Sequence, residues 1–311
     1  MKYRSWFIVP GNDAAQLDTA FSTGADVVVV DLENTVPHGS KGHARALGAE
    51  WLATYRTNVL EHRDMGRWVR INALDSGHSR EDLAAVMAGA PDGIILPNAT
   101  GPDAVRQLAS EIYELEQHYA IPASTTRILP VVGDTPRAAM RIGDYLDSGH
   151  QRLHGLTWSA TGLALSIGAS GVREENGCWS DACGFVRAQA LLTAHASQII
   201  VIDAAFEDFE DGQGTARAAR RSRADGFAGM FAIHPGQIGV INAAFTPSEE
   251  ELEEARAIIA AFASSPHAGS LPFGGRMVDR SHLAMAQRLA GLADMEAAAA
   301  EARRKPILRP A

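Results

Sequence analysis

The sequence predicts an α/β protein of the (β/α)8 TIM-barrel class with a C-terminal helical extension. Three observations carry that prediction. Eight short apolar runs recur along residues 1–245. Each run ends in polar, charged or turn-forming residues and is followed by an amphipathic stretch, the rhythm of strand and helix in alternation. Finally, runs such as Val27-Val28-Val29-Val30 are apolar without alternation, which suits parallel strands covered on both faces.

Taken in order, the strands are expected at Phe7-Ile8-Val9, Val27 to Val30, Trp68-Val69, Gly93 to Leu96, Ile128 to Val132, Leu156 to Trp158, Ile199 to Ile202 and Met230 to Ile233. The residues that end them are Pro10-Gly11, Asp31-Leu32-Glu33, Arg70-Ile71-Asn72, Pro97-Asn98, Gly133-Asp134-Thr135, Ser159-Ala160-Thr161, Asp203 and His234-Pro235. Helical patterns fall at 13–22, 41–55, 80–88, 102–118, 136–147, 181–196 and 214–224. A barrel takes about 250 residues, so the region 246–311 is left over. There, Ser248 with Glu251 three residues on reads as a capping box, and the acidic first turn suits the helix dipole. That helix is expected to run to about Ser264, followed by a Gly/Pro/Ser-rich connector over 265–275. A last Ala-rich helix over 281–303 carries Leu283, Met285, Leu289, Leu292 and Met295, a stripe that a neighbouring subunit is expected to cover. Residues 305–311 read as a frayed end.

Composition narrows the class of function. The chain has 311 residues and a formal net charge of −9, which argues against a nucleic-acid or anionic-membrane surface. No apolar run approaches the roughly 20 residues that span a bilayer, and the N-terminal apolar stretch is broken by Pro10. The two cysteines, Cys178 and Cys183, read as reduced thiols. The expectation is a cytoplasmic protein that acts on a small molecule.

In a barrel of this kind the strand ends open on one face, and that face holds the chemistry. Asp31 and Glu33 lie two apart and share a side while the chain is extended. They are either functional carboxylates or members of a cap or ion pair. Arg70 can clamp a carboxylate with two parallel hydrogen bonds or stabilise an enolate; its other reading is an internal salt bridge to Asp31 or Glu33. Asp134-Thr135 offers a metal ligand or a helix N-cap. Asp203 is either functional or a buried orienting carboxylate, and His234 reads as a hydrogen-bonded structural residue. The glycines of 155–171 lack a Walker lysine and the spacing of a dinucleotide fingerprint.

The ordered set of motifs resembles the HpcH/HpaI aldolase and citrate lyase beta-subunit family, especially its malyl-CoA-lyase-like members. The resemblance rests on Arg4 to Gly11, Gly24 to Glu33, Lys41 with Ala44-Arg45, Val69 to Asn72 and Asp92 to Pro97. Further along it rests on Ile202-Asp203, Gly226 to Gly229, Ile233 to Ile238, Phe245 to Ser248 and Gly275 to Arg280. It implies a Mg2+-dependent retro-aldol or retro-Claisen carbon–carbon lyase acting on a 3-hydroxy acid or its CoA thioester, in a homo-oligomer, trimer or hexamer. It also implies that Arg70 binds the substrate carboxylate and stabilises the enolate, with Glu33 beside it. Asp31, Asn98 and Thr135 would line the substrate. Arg4, Lys41 and Arg45 would meet the phosphates of a CoA. Asp279 would reach a neighbouring subunit's site as acid/base, its alternative being a cap for the last helix.

Four positions depart from the family pattern. Asn34 and Asn98 stand where an acid and a lysine are usual. The metal-holding Glu is Asp134, and the metal-holding Asp is Gly162. Two readings follow: a lyase with altered substrate choice, or a barrel that has lost catalysis and serves as a ligand-binding or assembly subunit.

Overall fold

The computed structural model describes residues 2–57, 65–175 and 177–291. The chain divides into two compact units, Met1–Phe245 and Thr246–Ala311.

The first unit is built on eight parallel strands: β1 (Ser5–Pro10), β2 (Val27–Asp31), β3 (Gly66–Arg70), β4 (Gly93–Leu96), β5 (Arg127–Pro130), β6 (Gly155–Thr157), β7 (Ile200–Asp203) and β8 (Gly229–Ala232). They run β5-β4-β3-β2-β1-β8-β7-β6. Isolated parallel bridges Ile128↔Leu153 and Val131↔Thr157 join the two ends of that order, so the sheet curls into a (β/α)8 barrel. The helices between the strands are α1 (Ala14–Ala20), α2 (Lys41–Thr57), α3 (Ser79–Val86), α4 (Pro102–His118), α5 (Pro136–Ala139), α6 (Ala160–Ile167), α7 (Asp181–Ala196), α8 (Gly212–Asp225) and α9 (Pro235–Phe245).

Period-two alternation sorts the strand side chains into two cores. Trp6, Val27, Val29, Trp68, Ile95, Leu129, Val131, Ile202 and Phe231 fill the barrel interior. Val28, Val30, Val69, Ile94, Ile128 and Val201 face outward beneath the helices. This explains why the strands read as unbroken apolar runs. It also aims the site. Asp31 follows Val27 and Val29 on the inward face, and Arg70 follows Trp68 on the same face of the next strand. Asp31 and Arg70 are register partners.

The interior is tight where Trp68 crosses its neighbour. A Cβ built on Gly93, the register partner of Trp68, would lie 2.3 Å from the indole. Glycine there makes room for the ring.

Three expectations need correction. The segments 160–167 and 235–245, which carry no helix in the sequence reading, form α6 and α9. Both are short and mostly apolar, so neither shows an amphipathic period. Helix α6 starts where the Ser159 hydroxyl accepts the Gly162 N–H at 3.1 Å. The expected 136–147 helix is instead a four-residue α5 followed by a 3-10 segment, Ile142–Asp147.

The second unit contains α10 (Glu249–Ser264), with the capping box between Ser248 and Glu251 in place. The expected connector is structured: β9 (Ser270–Phe273) and β10 (Arg276–Asp279) pair as an antiparallel hairpin, turned by Gly274 and Gly275 at positive φ. Ala255, Ile258, Phe262, Val278 and Ala286 form this unit's own core. Residues 280–291 are helical; the rest of the expected 281–303 helix and the end 305–311 lie outside the described residues.

Candidate active site

The C-terminal end of β2 and β3 is organised around Asp31. Arg70 donates to it through Nε and Nη2, each at 2.7 Å. Thr35 donates through its backbone N–H at 2.8 Å and its hydroxyl at 2.6 Å, and the Glu33 N–H donates at 2.9 Å. Asp31 is fully buried, yet its carboxyl is held down at about 2 because the Arg70 and Thr35 contacts outweigh desolvation. Both of its oxygens are thus occupied by protein donors. Within the protein Asp31 orients Arg70.

Glu33 comes next along the chain. Its carboxylate lies 3.5 Å from Arg70 Nε and is one-quarter exposed. Burial pushes its pKa up, and the negative charge of Asp31 adds to this against the opposing pull of Arg70. The Leu32–Glu33 backbone is fastened from below. The ammonium of Lys41 donates to Leu32 O at 2.8 Å and to Glu33 O at 2.6 Å, and Asn72 Nδ2 donates to Leu32 O at 2.9 Å.

Asp134 follows β5 and is buried. Its Oδ2 accepts the backbone N–H of Asn98 at 2.7 Å. Its Oδ1 is buried with no hydrogen-bond partner among the described residues. Desolvation pushes its pKa up to about 6, and the charge of Glu33 adds to the rise while Arg70 opposes it. Glu33, Arg70 and Asp134 therefore share one electrostatic field at the mouth of the barrel. Thr135 is the N-cap of α5, its hydroxyl accepting the Ala138 N–H at 3.2 Å. The two N-cap candidates at 134–135 separate cleanly: Thr135 caps, and Asp134 is left with an open oxygen.

Three cations expected at phosphates make their contacts within the chain. Arg4 precedes β1 and so lies at the opposite end of the barrel from the strand ends, where it is bidentate to Asp26 through Nε and Nη2 at 2.8 Å each. Lys41 is buried and directed at the two carbonyls named above, leaving it unsuited to a phosphate. Arg45 is likewise committed, to Asp82 at 2.7 Å and Glu81 at 2.5 Å. Asn98 adopts a left-handed φ of 50° and is exposed, so its recorded contact with the site is its backbone N–H. Asp203 is a buried orienting carboxylate, taken up by Trp158, Arg187 and Ser222. His234 accepts the Gly236 N–H at 3.1 Å and stacks on Phe209. In the second unit, Asp279 accepts the N–H groups of Ser281 and His282 and pairs with His282 Nδ1 at 2.7 Å. Those bonds lower its pKa.

One residue beyond the sequence-derived set belongs here. Tyr145 is buried, its hydroxyl has no partner among the described residues, and burial with the nearby Asp134 charge pushes its pKa up. Its position within a 3-10 segment gives no sequence signal.

The residues fit a Mg2+ in a minimal way. A Cβ on Gly162 would lie 3.0 Å from Asp134 Cβ, so the position expected to bring a second carboxylate does adjoin the first but carries no side chain. No group of three or more His, Cys, Asp or Glu residues among those described is placed to hold an ion. Mg2+ is commonly bound by one or two carboxylates plus waters and substrate oxygens, and the open Oδ1 of Asp134 provides one such ligand.

The chain is 29% identical over 300 residues to a (3S)-malyl-CoA thioesterase of Cereibacter sphaeroides, covering 96% of each. It is 29% identical over 306 residues to the mitochondrial citramalyl-CoA lyase of Mus musculus, covering 93% of this chain and 86% of that protein. Protein CitE from Mycobacterium tuberculosis, solved in complex with magnesium, acetoacetate and coenzyme A, matches with a TM-score of 0.71 at 29% identity. That match covers 93% of this chain and 98% of the other. The sequence model of one family matches residues 4–235: the chain belongs to the HpcH/HpaI aldolase/citrate lyase family.

Proposed function

We propose that the protein is a carbon–carbon lyase that cleaves a 3-hydroxy acid or its CoA thioester by a retro-aldol or retro-Claisen route. The observation that carries this reading is the trio at the barrel mouth: Arg70 fixed by Asp31, with Glu33 and the open oxygen of Asp134 in the same field. The names of the relatives supply the substrate class.

Cleavage transfers the hydroxyl proton to a base, breaks the C–C bond, turns the hydroxyl carbon into a carbonyl and leaves the bonding pair as an enolate. The enolate carbon then takes a proton. Arg70 binds the substrate carboxylate and faces the developing negative charge, with no reorganisation at the moment of reaction because Asp31 already holds it. Glu33, raised by burial and 3.5 Å from that guanidinium, is assigned the role of base. Asp279 of a neighbouring copy is assigned the protonation of the enolate carbon, which requires its His282 contact to open. Asp134 would hold Mg2+, which when bound supplies Lewis-acid polarisation of substrate oxygens. The reading includes a cytoplasmic homo-oligomer, trimer or hexamer.

The test is a panel of malyl-, citramalyl- and citryl-type substrates, free and as CoA thioesters, assayed for 2-oxo acid and separately for free thiol. We expect 2-oxo acid from at least one substrate, and a loss of about 100-fold or more in Arg70→Ala. Release of thiol alone, or of nothing, contradicts a lyase.

A further inference from the structure

A CoA thioester brings two loads to a barrel mouth: an acyl group, and a nucleotide whose phosphates carry about −3 to −4 in charge at neutral pH. Arginine and lysine are the side chains that meet such phosphates. The three cations expected to do so are committed elsewhere. Arg4 is bidentate to Asp26 at the opposite end of the barrel. Lys41 is turned onto Leu32 O and Glu33 O, and Arg45 is paired with Glu81 and Asp82. Asn98, at the end of β4, carries no charge.

The surroundings of the mouth are acidic instead. Among the described residues, the loops that leave the strand ends carry Asp13 after β1, Glu33 after β2, Asp75 after β3 and the exposed Glu207, Asp208 and Glu210 after β7. Glu207 accepts the Thr161 hydroxyl, next to Gly162, which adjoins Asp134. The acidic β7 loop therefore reaches the Asp134 side of the mouth. Arg173, between α6 and α7, lies over the Trp179 ring at 3.5 Å and donates to Gly177 O at 3.0 Å. Arg80 lines an outer groove with Glu111 and Glu114. Arg137 in α5 is exposed, one positive charge among several negative ones. Arg70, held by Asp31, is matched to a single carboxylate.

We propose that the mouth selects against the nucleotide: the substrate is an anionic hydroxy acid whose activating carbonyl carries no phosphates. That carbonyl is either the 2-oxo group of a free acid or the thioester of a small uncharged thiol. This rests on the lyase reading and narrows it. Cleavage needs a carbonyl next to the carbon that keeps the electron pair, and both forms supply one.

The test uses the full chain with Mg2+ and compares three forms: a 4-hydroxy-2-oxo acid, N-acetylcysteamine thioesters of malate and citramalate, and the matching CoA thioesters. Free CoA is titrated separately by calorimetry. We expect 2-oxo acid release from a nucleotide-free form with kcat/KM about 10- to 100-fold above that of any CoA thioester, the scale of like-charge repulsion. Free CoA should bind more weakly than about 1 mM. The double variant Ala15→Arg, Glu210→Lys places two cations on exposed positions of α1 and the β7 loop. It should tighten CoA by about tenfold at low salt and lose that gain at high salt, with turnover of the nucleotide-free form unchanged. Micromolar CoA binding by the wild type, or CoA thioesters preferred over every nucleotide-free form, overturns the inference and leaves the lyase reading intact. So does a double variant whose CoA affinity does not rise. Absence of 2-oxo acid from all three forms overturns the lyase reading and the inference with it.

Discussion

Arg70 and Asp31 meet through two parallel hydrogen bonds of 2.7 Å because they are register partners on adjacent strands whose side chains point inward. Asp31→Asn keeps the shape but leaves the guanidinium without its counter-charge. Breaking a buried pair of this kind costs about 3–5 kcal/mol, so chemical denaturation should show a loss of that order and oxalate calorimetry a weaker site. The two buried aspartates pull stability in opposite directions with pH. Asp31 is depressed to about 2, so its contribution is present above the unfolded value and is lost as pH falls through about 2. Asp134 is raised to about 6, so its ionisation opposes folding: the cost is absent below the unfolded value of 3.8 and complete above about 6. A shift of that size corresponds to about 2–3 kcal/mol. Without divalent cation, the wild type should lose about that much between pH 4 and pH 8 relative to Asp134→Asn, and Mg2+ with oxalate should restore it. Equal pH profiles for the two proteins would contradict the assignment. Arg70, Glu33 and Asp134 were legible in sequence because each ends an apolar run. Arg4 was misplaced because it begins a strand rather than ends one, and Lys41 because a sequence does not show that an ammonium folds back onto carbonyls.

At the scale of elements, the strands were legible and the short helices were not. Burial on both faces writes an apolar run into every strand, whereas α6 and α9 have too few polar positions to show a helical period. Helix α6 was also masked by Ser159-Ala160-Thr161-Gly162, whose glycine suggests a loop but whose serine is an N-cap. The hairpin of β9 and β10 was hidden by its Gly/Pro content, although its alternating burial and two turn glycines follow ordinary rules. Two substitutions test the packing account. Gly93→Ala sets a methyl 2.3 Å from the Trp68 ring, and overpacking of that kind costs about 1–3 kcal/mol. Ser248→Ala removes the capping-box hydroxyl and should cost the second unit about 1 kcal/mol. Thermal melts that leave both variants at wild-type stability would contradict the described contacts.

At the scale of the whole molecule, no helix among the described residues is long and apolar enough to cross a membrane. Leu165 on α6, Phe185 and Leu192 on α7, and Met140 just after α5 are large, apolar and exposed. Such surfaces mark association sites when contiguous, and sedimentation at micromolar concentration should find a trimer or hexamer rather than a monomer. The family and barrel were legible because ordered strand-end motifs survive when individual residues change. The degree to which the site survives Asn34, Asn98, Asp134 and Gly162 was not legible, because it depends on which oxygen of Asp134 is left open. The most direct measurement is the anomalous diffraction of crystals grown with Mn2+ and oxalate. The account predicts a manganese peak on Asp134 Oδ1 with an oxalate carboxylate on Arg70. A peak held by other residues, or oxalate bound away from Arg70, would contradict it.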